Sequence, residues 1–338
     1  MRPQRAVMRP VRHASRALSR ALSRGLAAAL LAASALACAQ PMPDAGDAQP
    51  DLPTAHAPSA TELGVQTVQI PRAATKNAGD APQTLTAYWI APGRKGPAAG
   101  APVVVALHGC GGLYTPAGAD AHALGERYRG YAQWLAAHGY AVVLPDSFGP
   151  RGKPHGICTE PTAGRSITGT VRRADILATL RWVAAQRGLD ARRIVLLGWS
   201  NGAQAVLDTV DASRAWPADT PTVERAVAFY PGCLAALQRP AYQLNAPLLL
   251  LAGANDDWTP ADRCQALQTA VLARQPQARF ELELFSGAYH GFDGTAPLKQ
   301  RQGIPNGVRH GAVTVGGDPA AREAAFTRLA AWLDNPHP

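Results

Sequence analysis

The sequence is poor in charge, in aromatic rings and in cysteine. Asp, Glu, Lys and Arg supply 17% of its 338 residues, Phe, Trp and Tyr supply 6%, and there are 5 cysteines. So small a charged share, beside 47% apolar residues, excludes a disordered chain and leaves ample material for a large core. No cysteines stand at C-x₂-C spacing and no histidines at H-x₃-H spacing, so the common zinc patterns are missing. No metal or cofactor is expected. The apolar stretch 26–37 falls well short of the roughly 20 residues that cross a bilayer. Acidic residues are absent from 1–39, which carry Arg2, Arg5, Arg9, Arg12, Arg16, Arg20 and Arg24. Without those seven charges the formal balance of +9 falls to +2, and the electrostatic case for a nucleic-acid partner falls with it.

What is present in 1–39 reads as an export signal. An arginine-rich start precedes the apolar stretch, and small residues follow in an A-x-A pattern. Cleavage after Ala39 is expected, with Ala35-Leu36-Ala37 as a second possible site. Lipid attachment through Cys38 fits less well, because Ala35 and Leu36 depart from the usual order before an acylated cysteine. The mature chain is therefore expected outside the cytoplasm, with no stable membrane insertion. Residues 40–62, rich in Pro, Ala, Asp and Thr, read as a disordered tether, and 63–338 as one domain. Four cysteines remain in that domain: Cys110, Cys158, Cys233 and Cys264. An even number in an exported chain implies two disulfides, with three possible pairings.

From about residue 64 strand and helix patterns alternate. Strands are expected at 65–70, 85–90, 102–107, 140–144, 193–197, 226–230, 247–251 and 280–285. The first two are joined by a turn at 76–80. Helices are expected at 126–138, 166–187, 203–213 and 320–333. Several strands are short, continuous apolar runs, the mark of strands buried on both faces. The alternation predicts a mostly parallel, doubly wound α/β sheet with no large cap, unless 147–166 or 293–317 fold over the site.

Reactive groups in such sheets gather beyond the carboxyl ends of the strands. One end carries Gly198-Trp199-Ser200-Asn201-Gly202, a G-x-S-x-G sequence that can expose a serine on a strand-to-helix turn. A serine hydroxyl needs a base, and the base needs an orienting acid. His290, in a loop after the last strand, is the candidate base. Asp256 and Asp257 compete as the acid; the G-x-x-D spacing from Gly253, with Pro260 four residues on, selects Asp256. Backbone N–H groups of Asn201 and of Cys110, in His108-Gly109-Cys110-Gly111-Gly112, are candidate oxyanion donors. Tyr114, Phe148, Trp199 and Tyr289 are candidate pocket walls.

These segments, with Pro145-Asp-Ser-Phe-Gly-Pro-Arg-Gly, Asp256-Asp-Trp-Thr-Pro and Tyr289-His-Gly-Phe, resemble the dienelactone hydrolase family of the α/β-hydrolase superfamily. The resemblance covers roughly 64–334. It implies the α/β-hydrolase fold and the pairings Cys110–Cys158 and Cys233–Cys264. One departure stands out: dienelactone hydrolase proper uses a cysteine nucleophile, where this chain has Ser200. The expected activity is hydrolysis of a small-molecule carboxylic ester or lactone through an acyl-enzyme. A peptidase or acyltransferase on the same fold, or a non-catalytic binding protein, are the alternatives.

Overall fold

The computed structural model describes residues 61–335, apart from 76–79, 82, 94–99, 116–122 and 309–310. The expected leader, the tether up to residue 60 and most of the turn at 76–80 lie outside the described residues.

The apolar runs form the centre of an eight-stranded sheet. In chain order its strands are β1 (Gln66–Arg72), β2 (Gln83–Ile90), β3 (Ala101–Leu107), β4 (Ala141–Pro145), β5 (Leu189–Trp199), β6 (Arg225–Phe229), β7 (Leu248–Gly253) and β8 (Phe280–Phe285). Their spatial order is β1-β2-β4-β3-β5-β6-β7-β8. β2 pairs antiparallel with β1 and β4, and every other neighbouring pair is parallel. Alternate side chains feed two cores. Val103, Val105 and Leu107 enter one, and Val104 and Ala106 the other. The first core is closed by α2 (Gly169–Ala184), α3 (Asn201–Thr209) and α5 (Ala261–Arg274). The second is closed by α1 (Glu126–Ala137) and α6 (Pro319–Asp334), through Tyr131, Trp134, Phe326 and Trp332. A short α4 (Leu234–Leu237) follows β6.

Several boundaries differ from the sequence reading by a few residues, among them the end of α3 at Thr209 instead of 213, and two have local reasons. Helix α2 starts at Gly169, not 166, because the Thr168 hydroxyl accepts the Val171 N–H and caps it there. Strand β5 begins four residues earlier than expected, since Asp190, Arg192 and Arg193 interrupt the apolar run at its start. A two-stranded antiparallel hairpin, β9 (Lys299–Ile304) and β10 (Gly311–Val315), lies outside the main sheet. Only Ile304 and Val313 of its residues are buried, so its period-2 pattern is too thin to read from the sequence. No helix of the described residues is long and apolar enough to cross a membrane.

Candidate active site

Ser200 sits between β5 and α3 with φ 52° and ψ −115°, a conformation that L residues rarely adopt. Such strain costs on the order of 1–3 kcal/mol and persists only where the surroundings impose it. Here they do. A Cβ on Gly198 would stand 2.6 Å from the Gly202 carbonyl, and one on Gly202 would stand 2.0 Å from the Leu107 carbonyl oxygen. Both glycines are thus required for the chain to turn this tightly between β3 and β5. The Ser200 N–H donates to the Phe229 carbonyl at 2.9 Å, which ties the turn to β6.

The loops after β7 and β8 bring two more groups to this turn. His290 Nε2 lies 3.0 Å from Ser200 Oγ, and His290 Nδ1 lies 2.8 Å from Asp256 Oδ2. Asp256 Oδ1 accepts the Trp258 and Thr259 N–H groups, both at 2.8 Å. Burial alone would raise the Asp256 pKa; the His290 ring and these hydrogen bonds outweigh it and hold the carboxyl below its usual value. Asp257 goes elsewhere: it accepts the Thr314 N–H at 2.8 Å and hydroxyl at 2.9 Å, anchoring β10. Thr259, which the sequence reading passed over, places its hydroxyl 2.9 Å from Asp256 Oδ2 and 3.1 Å from His290 Nδ1.

The His108–Gly112 loop faces the same turn and is tied from several sides. His108 is fully buried; Ser147 N–H donates to its Nε2 at 3.2 Å, so Nδ1 carries the proton and donates to the Gly109 carbonyl at 2.9 Å. Burial, and then the nearby Arg172 charge, push its pKa down to about 3, so the ring is neutral. Arg172 Nη1 donates to the His108 carbonyl and to Asn201 Oδ1, both at 2.8 Å. One buried guanidinium therefore joins the two loops that carry the candidate oxyanion donors. Neither Cys110 N–H nor Asn201 N–H donates to a protein acceptor among the described residues. The disulfides are Cys110–Cys158 and Cys233–Cys264. The first pins the loop after β3; the second joins the loop after β6 to α5, the helix that follows the Asp256 loop.

Asp293 is a hub that sequence reasoning missed. It is 2% exposed, yet it accepts the Tyr131 and Tyr230 hydroxyls at 2.9 and 2.7 Å and the Trp199 indole N–H at 3.0 Å. Arg127 Nε lies 3.4 Å away and balances its charge. Trp199 precedes Ser200, and the Tyr230 ring packs 4.6 Å from the His290 ring. A single carboxylate thus braces both the serine turn and the histidine loop.

Ser200, Cys110 and Trp258 separate two cavities, one of about 230 Å³ and one of about 570 Å³. The smaller contains His290 and is roofed by Lys299, Arg301 and Val315 of the hairpin. The segment 293–317 does fold over the site, and Cys158 of 147–166 joins the cavity wall. Of the expected wall residues only Trp199 lines either of these two cavities. Phe148 is fully buried against the His108 ring, and the Tyr114 hydroxyl is 3.0 Å from that of Tyr88. Tyr128, Tyr230 and Trp258 stand in their place. Among the described residues no cluster of His, Cys, Asp or Glu could hold a metal ion.

A model of the dienelactone hydrolase family matches residues 87–336. The chain belongs to the dienelactone hydrolase family. Membership makes it a hydrolase of the ester or lactone type. A Salmonella typhimurium protein provisionally named carboxymethylenebutenolidase is 25% identical over 259 residues, 71% of this chain and 87% of that one. Among solved structures, a dienelactone hydrolase-like promiscuous phosphotriesterase from metagenomic libraries superposes with a TM-score of 0.55 at 17% identity, covering 80% of this chain and 97% of that one. Esterase 2 of Thermogutta terrifontis superposes at 0.52 with 18% identity, covering 79% and 92%. At such identities the structures speak for the shared α/β-hydrolase fold.

Proposed function

We propose that this family member is an exported serine esterase that cleaves a carboxylic ester or lactone through an acyl-enzyme. The observation that carries the reading is the chain of contacts from Ser200 Oγ through His290 to Asp256, at 3.0 and 2.8 Å. His290 Nε2 takes the serine proton as Oγ attacks the carbonyl carbon. The Asp256 carboxylate holds Nδ1–H, fixes the tautomer and stabilises the imidazolium. The oxyanion is met by the Cys110 and Asn201 N–H groups, and donors of this kind contribute several kcal/mol. His290 then returns the proton to the leaving oxygen, and water repeats the sequence on the acyl-enzyme. The two disulfides fit an oxidising compartment, in agreement with an export signal in 1–39.

A fluorophosphonate probe tests the reading. The wild type is expected to be labelled on Ser200, and Ser200→Ala to lose the label and ester turnover together. No label on the wild type, or an undiminished label on Ser200→Ala, would overturn it and favour a non-catalytic binding protein.

A further inference from the structure

We infer that the two cavities divide the substrate: the larger takes the acyl arm and the smaller takes the alcohol arm. The natural substrate is then an ester of an extended apolar acid with a short alcohol. This rests on the proposed serine mechanism. In acylation Ser200 Oγ bonds to the acyl carbon, the bond from that carbon to the alcohol oxygen breaks, and the proton passes through His290 Nε2 to that oxygen. The alcohol must therefore leave on the side where His290 is exposed. His290 lines the cavity of about 230 Å³ and is not part of the wall of the other. Asn201, whose N–H is a proposed oxyanion donor, lines the cavity of about 570 Å³, and Ser200 and Cys110 line both. A carbonyl held by those N–H groups thus has its acyl chain directed into the larger space.

The walls of that space say what the acyl arm is made of. Each of its charged side chains has at least one partner, although Arg172 keeps Nε and Nη2 without one. Asp208 pairs with Arg239 at 2.6 Å, Arg172 holds the His108 carbonyl, Arg165 donates to the Glu160 carbonyl at 3.1 Å, and Arg263 lies 3.4 Å from Asp262. The accessible lining is mostly apolar. Ile167 and Leu207 are buried in the wall, while Leu234 and Val308 stand 45% and 62% exposed at the same cavity. Large exposed apolar side chains are few among the described residues, and two of them at one cavity give an apolar chain a surface to cover.

Two ester series test the division on the full-length, oxidised protein. One holds 4-nitrophenol constant and lengthens the acyl chain from acetate to octanoate. The other holds acetate constant and lengthens the alcohol from methyl to octyl. Along the acyl series kcat/KM is expected to rise by about fourfold per methylene until the space is filled; along the alcohol series it is expected to stay flat or fall. Ala235, exposed and part of the same wall, gives the variant Ala235→Trp, which should lower the octanoate-to-acetate ratio at least tenfold. Leu234→Asp should move that ratio the same way without adding bulk. A flat acyl series, a rise along the alcohol series, or an effect of both variants confined to long alcohols would overturn the division. Absence of turnover with every ester, together with an unlabelled Ser200, would instead overturn the serine mechanism and take the division with it.

Discussion

At the scale of the residue, neighbouring aspartates have been given separate tasks by two backbone N–H groups. Trp258 and Thr259 donate to Asp256 and aim it at His290, while Asp257 turns to Thr314 on the hairpin. Asp256→Asn is therefore expected to lower kcat by roughly 10³–10⁴-fold, because it no longer fixes the histidine tautomer. Asp257→Asn should act mainly on KM, by loosening the strand that roofs the cleft. Steady-state kinetics of the two variants on one ester separates the cases, and equal losses of kcat would contradict the assignment. The order serine, aspartate, histidine made the convergence of Ser200, Asp256 and His290 legible in the sequence, since the first two fall just beyond apolar strands and the third follows the last strand. Asp293 was not legible. Its partners come from α1, the serine turn and the loop after β6, and nothing in a linear sequence says that Tyr131, Trp199 and Tyr230 converge on it.

At the scale of the element, the sheet was readable because β3, β4 and β7 are apolar throughout and β6 is apolar after Arg225, and a strand buried on both faces has no polar side to confuse the pattern. The hairpin β9–β10 was not readable as strands, because it covers a cleft and sends only Ile304 and Val313 into a core. The disulfides belong to this scale, since each ties one loop to another. They close separations of 48 and 31 residues, and in the chain-entropy picture each contributes about 4 kcal/mol. Both double serine variants, Cys110→Ser with Cys158→Ser and Cys233→Ser with Cys264→Ser, should therefore lower the denaturant midpoint. Their kinetics should part. Loss of Cys110–Cys158 frees the loop that carries a proposed oxyanion donor, and kcat is expected to fall tenfold or more. Loss of Cys233–Cys264 should leave a smaller effect on kcat, and the reverse ranking would show that the Cys110 loop is held by its hydrogen bonds alone.

At the scale of the whole molecule, acid should weaken the fold over a window set by His108. The unfolded chain takes up a proton on this histidine below about 6.5, whereas the buried ring refuses one until about 3. Between those values the unfolded state binds more protons, so stability falls as pH falls. The Asp256 carboxyl acts in the same direction, but only below its ordinary value of 3.8, because its folded pKa is lowered. Unfolding measured from pH 7 to 4.5 should thus show a steady loss that His108→Asn reduces, since the amide keeps a donor and an acceptor without titrating. An unchanged slope in that variant would place the acid sensitivity elsewhere. The hairpin has a consequence at this scale too. Gly317 N–H donates to the Ala296 carbonyl at 2.7 Å, so the segment that roofs the cleft leaves and rejoins the body at one point. It is a cassette: a change in its length would re-thread no strand of the main sheet, provided Ile304, Val313 and Thr314 keep their places.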